Sequence, residues 1–318
     1  MSVRWPVRVR RPRLRHALAV VAVAVVAVGA TAWEASPSAT ALGSRVESRL
    51  QHRSGEPVAP SAIPRILSDA VVATEDERFY HHHGIDVIGV IRALPYDIVH
   101  LSFAQGASTI TEQTAKVLYL DGNDHTPWRK LEDAAVALKL ESRYTKAQIL
   151  AAYLNSAYFG AGAYGIQAAS ERYFGLPVER VGLSQASLLA GLIQAPSAYD
   201  PFLHPGAARS RQEAVLRSLV RNRFITTAQG ASVLAQQLRL RGGATLTPLA
   251  GADLSVGSAF VWWQLAAGAA MTIAALSVLS VPRLRRAHAI HDQLILRILL
   301  LVVLAVGAAA IVRSFRAA

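Results

Sequence analysis

The sequence predicts a mostly α-helical domain tied to a membrane by apolar segments near both ends. Three observations carry that prediction. Apolar residues in the middle of the chain recur at helical spacing, as in Val136, Leu140 and Tyr144, then Ile149, Leu150, Tyr153 and Leu154. Few stretches alternate with the period of two that a half-buried strand requires. Long uncharged runs lie near both ends, bordered by arginines.

Composition narrows the function. The 318 residues are 52% hydrophobic, too apolar for a disordered chain and enough for one or two domains. There is no cysteine, which excludes a disulfide framework, a thiol nucleophile and a Cys-ligated metal. The net charge of +12 is concentrated at the ends. Residues 1–32 hold six arginines and no acid, and residues 258–318 hold six arginines and one aspartate. The stretch between is nearly neutral. A nucleic-acid surface would carry its cations on the folded domain, so nucleic acid is not an expected partner. The terminal arginines read as juxtamembrane anchors.

The elements follow in order. Residues 1–16 form a basic tail and 17–32 a first transmembrane anchor. Residues 33–60, rich in Ser, Pro, Ala and Gly, read as a stalk, and 61–241 as the helical domain. Residues 242–257, opening Gly242-Gly243-Ala244-Thr245, read as a linker. Residues 258–281 carry no charge and 294–312 only Arg297. Roughly 20 apolar residues cross a bilayer, so both read as transmembrane helices. The loop 282–293 between them contains Arg283, Arg285 and Arg286. The positive-inside rule then puts the basic tail and this loop in the cytoplasm. The protein is expected to be a multi-pass cell-membrane protein with its domain outside. A cleaved signal peptide is the rival, because Ala39-Thr40-Ala41 resembles a cleavage site, but that site lies well beyond the apolar run.

Three patches of the domain carry chemistry. The first contains Glu75-Asp76-Glu77, Phe79 and the run His81-His82-His83. Adjacent carboxylates repel, which raises the pKa of one of them and suits it to general-base work. Consecutive histidines diverge and do not close on one metal. A charged helix end followed by a polar turn would read the same way. The second patch, 105–116, is a loop capped by Ser108 or Thr109 that leads into a helix, with Lys116 about two turns in. Such a helix start suits a phosphate, and it also suits an ordinary cap. In the third, Arg129-Lys130 precede Glu132-Asp133, so that cations stand where the helix dipole disfavours them. The chain has 29 Arg but four Lys, at 116, 130, 139 and 146. That bias suggests a flexible ammonium is required at some of these positions.

In order, these patches resemble the motifs of glycosyltransferase family 51. This is the peptidoglycan transglycosylase module of class A penicillin-binding proteins and of monofunctional transglycosylases. The first motif is matched by Glu75, Asp76, Phe79, His82 and Gly84. The second is matched by Gly106, Ser108, Thr109, Ile110, Thr111, Gln113 and Lys116, and the third by Arg129, Lys130 and Asp133. The fourth resembles 146–155, ending in Asn155, and the fifth resembles 188–196. The resemblance covers about residues 60–240 and implies a lysozyme-like fold. It departs at Ala107 for Gly, Glu112 for Gln, Thr114 for Leu and Val117 for Asn, and the second catalytic Glu falls on Asp133, one methylene shorter. No Ser-x-x-Lys or Lys-Thr-Gly of a fused transpeptidase is present.

The activity so implied is polymerisation of lipid II into glycan strands with release of undecaprenyl pyrophosphate. Glu75 would be the general base, and Asp133, or Glu132 if the register shifted, the second carboxylate. Lys116, Arg129 and Lys130 would hold the pyrophosphate. The remaining motif positions Asp76, Phe79, His82, Ser108, Thr109, Gln113 and Asn155 would line the substrate site. No cofactor is required, although the family is compatible with a divalent cation, Mg or Mn, near Asp76. The partners implied are lipid II, the nascent glycan, the bilayer and other wall-synthesis proteins. The segment 98–104 is apolar enough to dip into the interface. Two other functions fit some features. A muramidase-like lytic enzyme would leave the pyrophosphate cations without a purpose, and a catalytically impaired membrane scaffold would account for the altered motifs.

Overall fold

The structure is a computed structural model, described here for residues 13–53, 55–90, 108–120, 126–249 and 254. The second and third expected spans, their loop, and the segment 98–104 lie outside the described residues, as do Gly106 and Ala107.

The described chain is mostly helical, as its periodicity predicts. Helix α1 spans Arg13–Ala35 and α2 Leu42–Gln51; α3 is Arg65–Glu75, α4 Ile110–Leu118, α5 Pro127–Glu141 and α6 Lys146–Ser156. They are followed by α7 Ile166–Phe174, α8 Leu183–Leu192, α9 Pro205–Arg221 and α10 Thr227–Ala235. The sole sheet among the described residues pairs β1 Leu238–Arg239 with β2 Thr245–Leu246, antiparallel.

Local chemistry sets the helix starts. Thr109, Thr145 and Thr226 each close a capping box with Glu112, Gln148 and Gln229. Thr126 caps α5 ahead of Pro127, which needs no amide partner at the first helical position. At the other end of α7, Gly175 takes the left-handed conformation that stops the helix.

Two helix groups share one core. Helices α3, α8 and α9 pack on one another, while α4 packs on α5 and α6, with α2 laid over α4 and α6. Phe79, Phe159 and Tyr173 are wholly buried within this core. The C-terminal end of α3 meets α4 at the junction of the groups.

Two expectations need correction. The stalk 33–60 contains a packed helix: Leu42, Val46 and Leu50 of α2 recur every four residues and all are buried. The linker 242–257, where it is described, belongs to the domain. Leu246 is fully buried, and the Leu249 amide donates to Leu234 O at 2.8 Å. Its Gly-Gly pair is the turn of a hairpin, at which Gly242 and Gly243 both have positive φ. The first apolar run lies inside α1. Among the described residues no helix is long and apolar enough to cross a membrane.

Candidate active site

Helix α4 is the ruler of the site. From one side Gln113 Nε2 donates to Glu75 Oε2 at 3.3 Å, while Tyr153 of α6 donates its hydroxyl to Gln113 Oε1 at 3.0 Å. The amide is thus oriented with its donor toward the carboxylate. Burial pushes the Glu75 carboxyl above its ordinary range, and neighbouring Asp76 adds to that. The Gln113 hydrogen bond and the Arg211 charge pull it back. Burial, with the charges of Glu75 and Asp76, raises the Tyr153 hydroxyl well above its usual value, so it serves as a donor.

From the other side α4 faces α5. Asp133 is buried, one turn from Arg129, with Oδ1 3.5 Å from Arg129 Nε. Burial raises the Asp133 carboxyl; Lys130, Arg129 and Lys116 oppose the rise, and Glu112 adds to it. Lys130 Nζ donates to Ser108 Oγ at 2.8 Å and stands 3.4 Å from Glu112 Oε1. Glu132 points elsewhere and accepts from Trp128 Nε1 at 2.8 Å. The structure therefore brings Asp133, Lys116 and Lys130 together and leaves Glu132 out.

Several of the expected substrate-site residues also brace the protein around the site. Asp76 is buried; His82 Nε2 lies 3.0 and 3.1 Å from its two oxygens, and Ile110 N–H donates to Oδ2 at 3.0 Å. Asp76 and His82 thus hold the start of α4. Thr109, 2% exposed, caps that helix and donates to Gly84 O at 2.6 Å. Phe79 is wholly buried beneath Lys146, whose ammonium lies 4.3 Å from the ring centre. Asn155 clamps the backbone of Val58, accepting from its N–H at 2.9 Å and donating to its carbonyl at 2.8 Å. Arg129 is buried and donates to Leu120 O, so it acts on the site through Asp133.

A divalent cation does not fit at Asp76. Both carboxylate oxygens face donors, from His82 and Ile110, and Glu75 is already held by Gln113. No cluster of three metal-ligating side chains occurs among the described residues.

Sequence reasoning missed Tyr153, Arg211 and a part-buried link in which Glu141 accepts from Thr111 Oγ1 at 2.6 Å and Lys146 Nζ at 2.7 Å. Tyr153 stood in the fourth motif but read only as an apolar helix position. Arg211 carried no local signal, because it approaches Glu75 from α9.

The model of the transglycosylase family matches residues 43–220, more than half of the chain. The chain belongs to this family. The family resemblance read from the five motifs is borne out, and α2 falls within the transglycosylase match along with every named site residue. Penicillin-binding protein 1A of Neisseria lactamica is 43% identical over 176 residues, which is 55% of this chain and 22% of the relative. Penicillin-binding protein 1F of Bacillus subtilis (strain 168) is 40% identical over 185 residues, 58% of this chain and 26% of the relative. This chain thus spans about a quarter of these curated relatives. A 2.6 Å crystal structure of penicillin-binding protein 1A from Haemophilus influenzae aligns with 59% of this chain and 18% of its own, at 20% identity and a TM-score of 0.34.

Proposed function

We propose that this transglycosylase polymerises lipid II into glycan strands in bacterial wall synthesis, on a lysozyme-like domain at the outer face of the cell membrane. The observation that carries the reading is the pairing of two kinds of group across α4. A half-buried carboxyl of raised pKa, Glu75, stands on one side, and two ammonium groups with a second carboxylate stand on the other.

The chemistry follows from those groups. The 4-hydroxyl of a GlcNAc attacks the anomeric carbon of the growing chain's MurNAc. Its proton passes to Glu75 as the new glycosidic bond forms and the bond to pyrophosphate breaks, with inversion. A raised pKa makes Glu75 a stronger base than an ordinary carboxylate. Charge builds on the departing pyrophosphate, where Lys116 and Lys130 stabilise it. Asp133 orients the phosphosugar, and Arg129 holds Asp133.

A lipid-linked substrate calls for a membrane-bound enzyme. Helix α1 carries Val20, Val23, Val25 and Val26 to solvent, Val26 at 71% exposure, a face that lipid would cover. The runs 258–281 and 294–312 would add two further spans, with the domain extracytoplasmic and other wall-synthesis proteins as partners. A scaffold remains the second reading because Glu112, where the family motif has Gln, already engages Lys130.

Purified full-length protein given labelled lipid II, and separately finished glycan, tests the reading. Polymer from the first and no cleavage of the second is expected. Cleavage would point to a lytic enzyme, and no reaction with either to a scaffold.

A further inference from the structure

Of the four lysines, Lys116 and Lys130 face Asp133, and Lys146 pairs with Glu141 over Phe79. Lys139 has no part in the cleft. Its Nζ lies 2.6 Å from Trp33 O, 2.9 Å from Ser36 O, 2.8 Å from Ser36 Oγ and 3.5 Å from Pro37 O. The same ammonium stands 4.9 Å from the centre of the Trp33 ring. These oxygens belong to the last turn of α1 and the residues after it, where a helix leaves its carbonyls without amide partners. An ammonium fans three donors in a tetrahedron, and here they converge on oxygens from several directions.

The position of this clamp matters as much as its chemistry. Lys139 lies six residues from Asp133 on the same rigid helix, about 9 Å along its axis. Helix α5 therefore carries Arg129, Lys130 and Asp133 toward one end and the terminus of α1 near the other. The junction is close packed, with Ala32, Ser36 and Ala39 all buried. Beyond it the chain turns through Ala41, whose φ is +58°, before α2 begins.

We propose that Lys139 is a positioning residue that locks the end of the anchor helix to α5 and so sets the height and tilt of the cleft over the bilayer. The inference rests on the proposed anchoring and lipid-linked substrate. Such a substrate presents its phosphates at a fixed depth, and misplacement of about 1 Å can cost roughly 100-fold in rate. A substrate free in water can adjust to the cleft and does not need this registration.

The test compares Lys139→Met and Lys139→Gln with the wild-type full chain in phospholipid vesicles. Each is assayed on full-length lipid II in the bilayer and on a short-chain, water-soluble lipid II analogue, and hydrogen exchange is followed at amides 33–40. For Lys139→Met, kcat/KM on the bilayer substrate should fall at least tenfold, activity on the soluble analogue should stay within twofold, and the amides should exchange faster. Lys139→Gln, which keeps two donors, should fall between. Equal losses on both substrates, or no loss on either, overturn the proposal. If wild type polymerises neither substrate, the proposed activity fails instead. The exchange data then judge the clamp alone, and unchanged rates in Lys139→Met overturn it.

Discussion

Gln113 holds Glu75 through a 3.3 Å hydrogen bond from its amide nitrogen, and Tyr153 fixes the other end of that amide. The candidate base is thereby kept in a half-buried setting with one donor that favours its ionised form. Two predictions concern this pair.

The pH–rate profile should have its acid limb above the ordinary carboxylate range, since the base must be ionised and burial raises its pKa. Gln113→Leu deletes a hydrogen bond to the carboxylate, so the limb should move to still higher pH. A kcat/KM profile that stays put or moves toward acid would separate Glu75 from the titration that limits the rate.

Glu75→Gln should lower polymerisation by about 100- to 10,000-fold, the range of general-base contributions. It should also make the protein more stable at neutral pH. The folded chain binds the Glu75 proton more tightly than the unfolded chain, because the folded pKa is raised. Below the unfolded pKa both states are protonated and nothing is gained. As pH rises past that value the unfolded chain ionises first, and wild-type stability falls until the folded group ionises too. Thermal melts of the variant and wild type should therefore diverge at pH 7 and converge near pH 3.

Asp133 and Glu132 give opposite expectations. Asp133→Asn should abolish turnover and Glu132→Gln should be mild, because only Asp133 is buried among Arg129, Lys130 and Lys116. Asp133→Glu should keep or raise activity. A dead Glu132→Gln beside an active Asp133→Asn would reverse the assignment.

Glu112→Gln should leave stability within about 1 kcal/mol, since its ionic contact is with the largely exposed Lys130 side chain and a glutamine can still accept in the capping box. Removing the negative charge should tighten lipid II binding by freeing the Lys130 ammonium. Direct binding measurements on the two proteins, at matched salt, check this; weaker binding in the variant would count against a phosphate role for Lys130.

Gly84→Ala should destabilise by about 2 kcal/mol or more. Gly84 has φ +91°, and an added Cβ would lie 3.0 Å from Ala137 C and O on the α5 backbone. Left-handed backbone alone costs an alanine roughly 1–2 kcal/mol. A melt indistinguishable from wild type would mean that α5 can retreat from this turn.

Motif spacing made the family and the helical class legible, because both are properties of short stretches. A capping threonine lies three residues before its Glu or Gln partner, and Arg129 lies one turn from Asp133 on any helix. The separation of Asp133 from Glu132 by about 100° of helix followed from the same regularity.

What only the tertiary structure decided was which partners the motif side chains meet. Phe79, Asp76 and Asn155 stand in motifs beside Glu75 and Lys116, and each meets a partner distant in sequence: Lys146, Ile110 and Val58 respectively. Arg211 bears on Glu75 from α9, and Lys139 reaches α1 across more than a hundred residues of chain. Burial and pairing are set by the packing of whole helices, and a side chain facing inward has the same letter in the sequence as one facing a ligand.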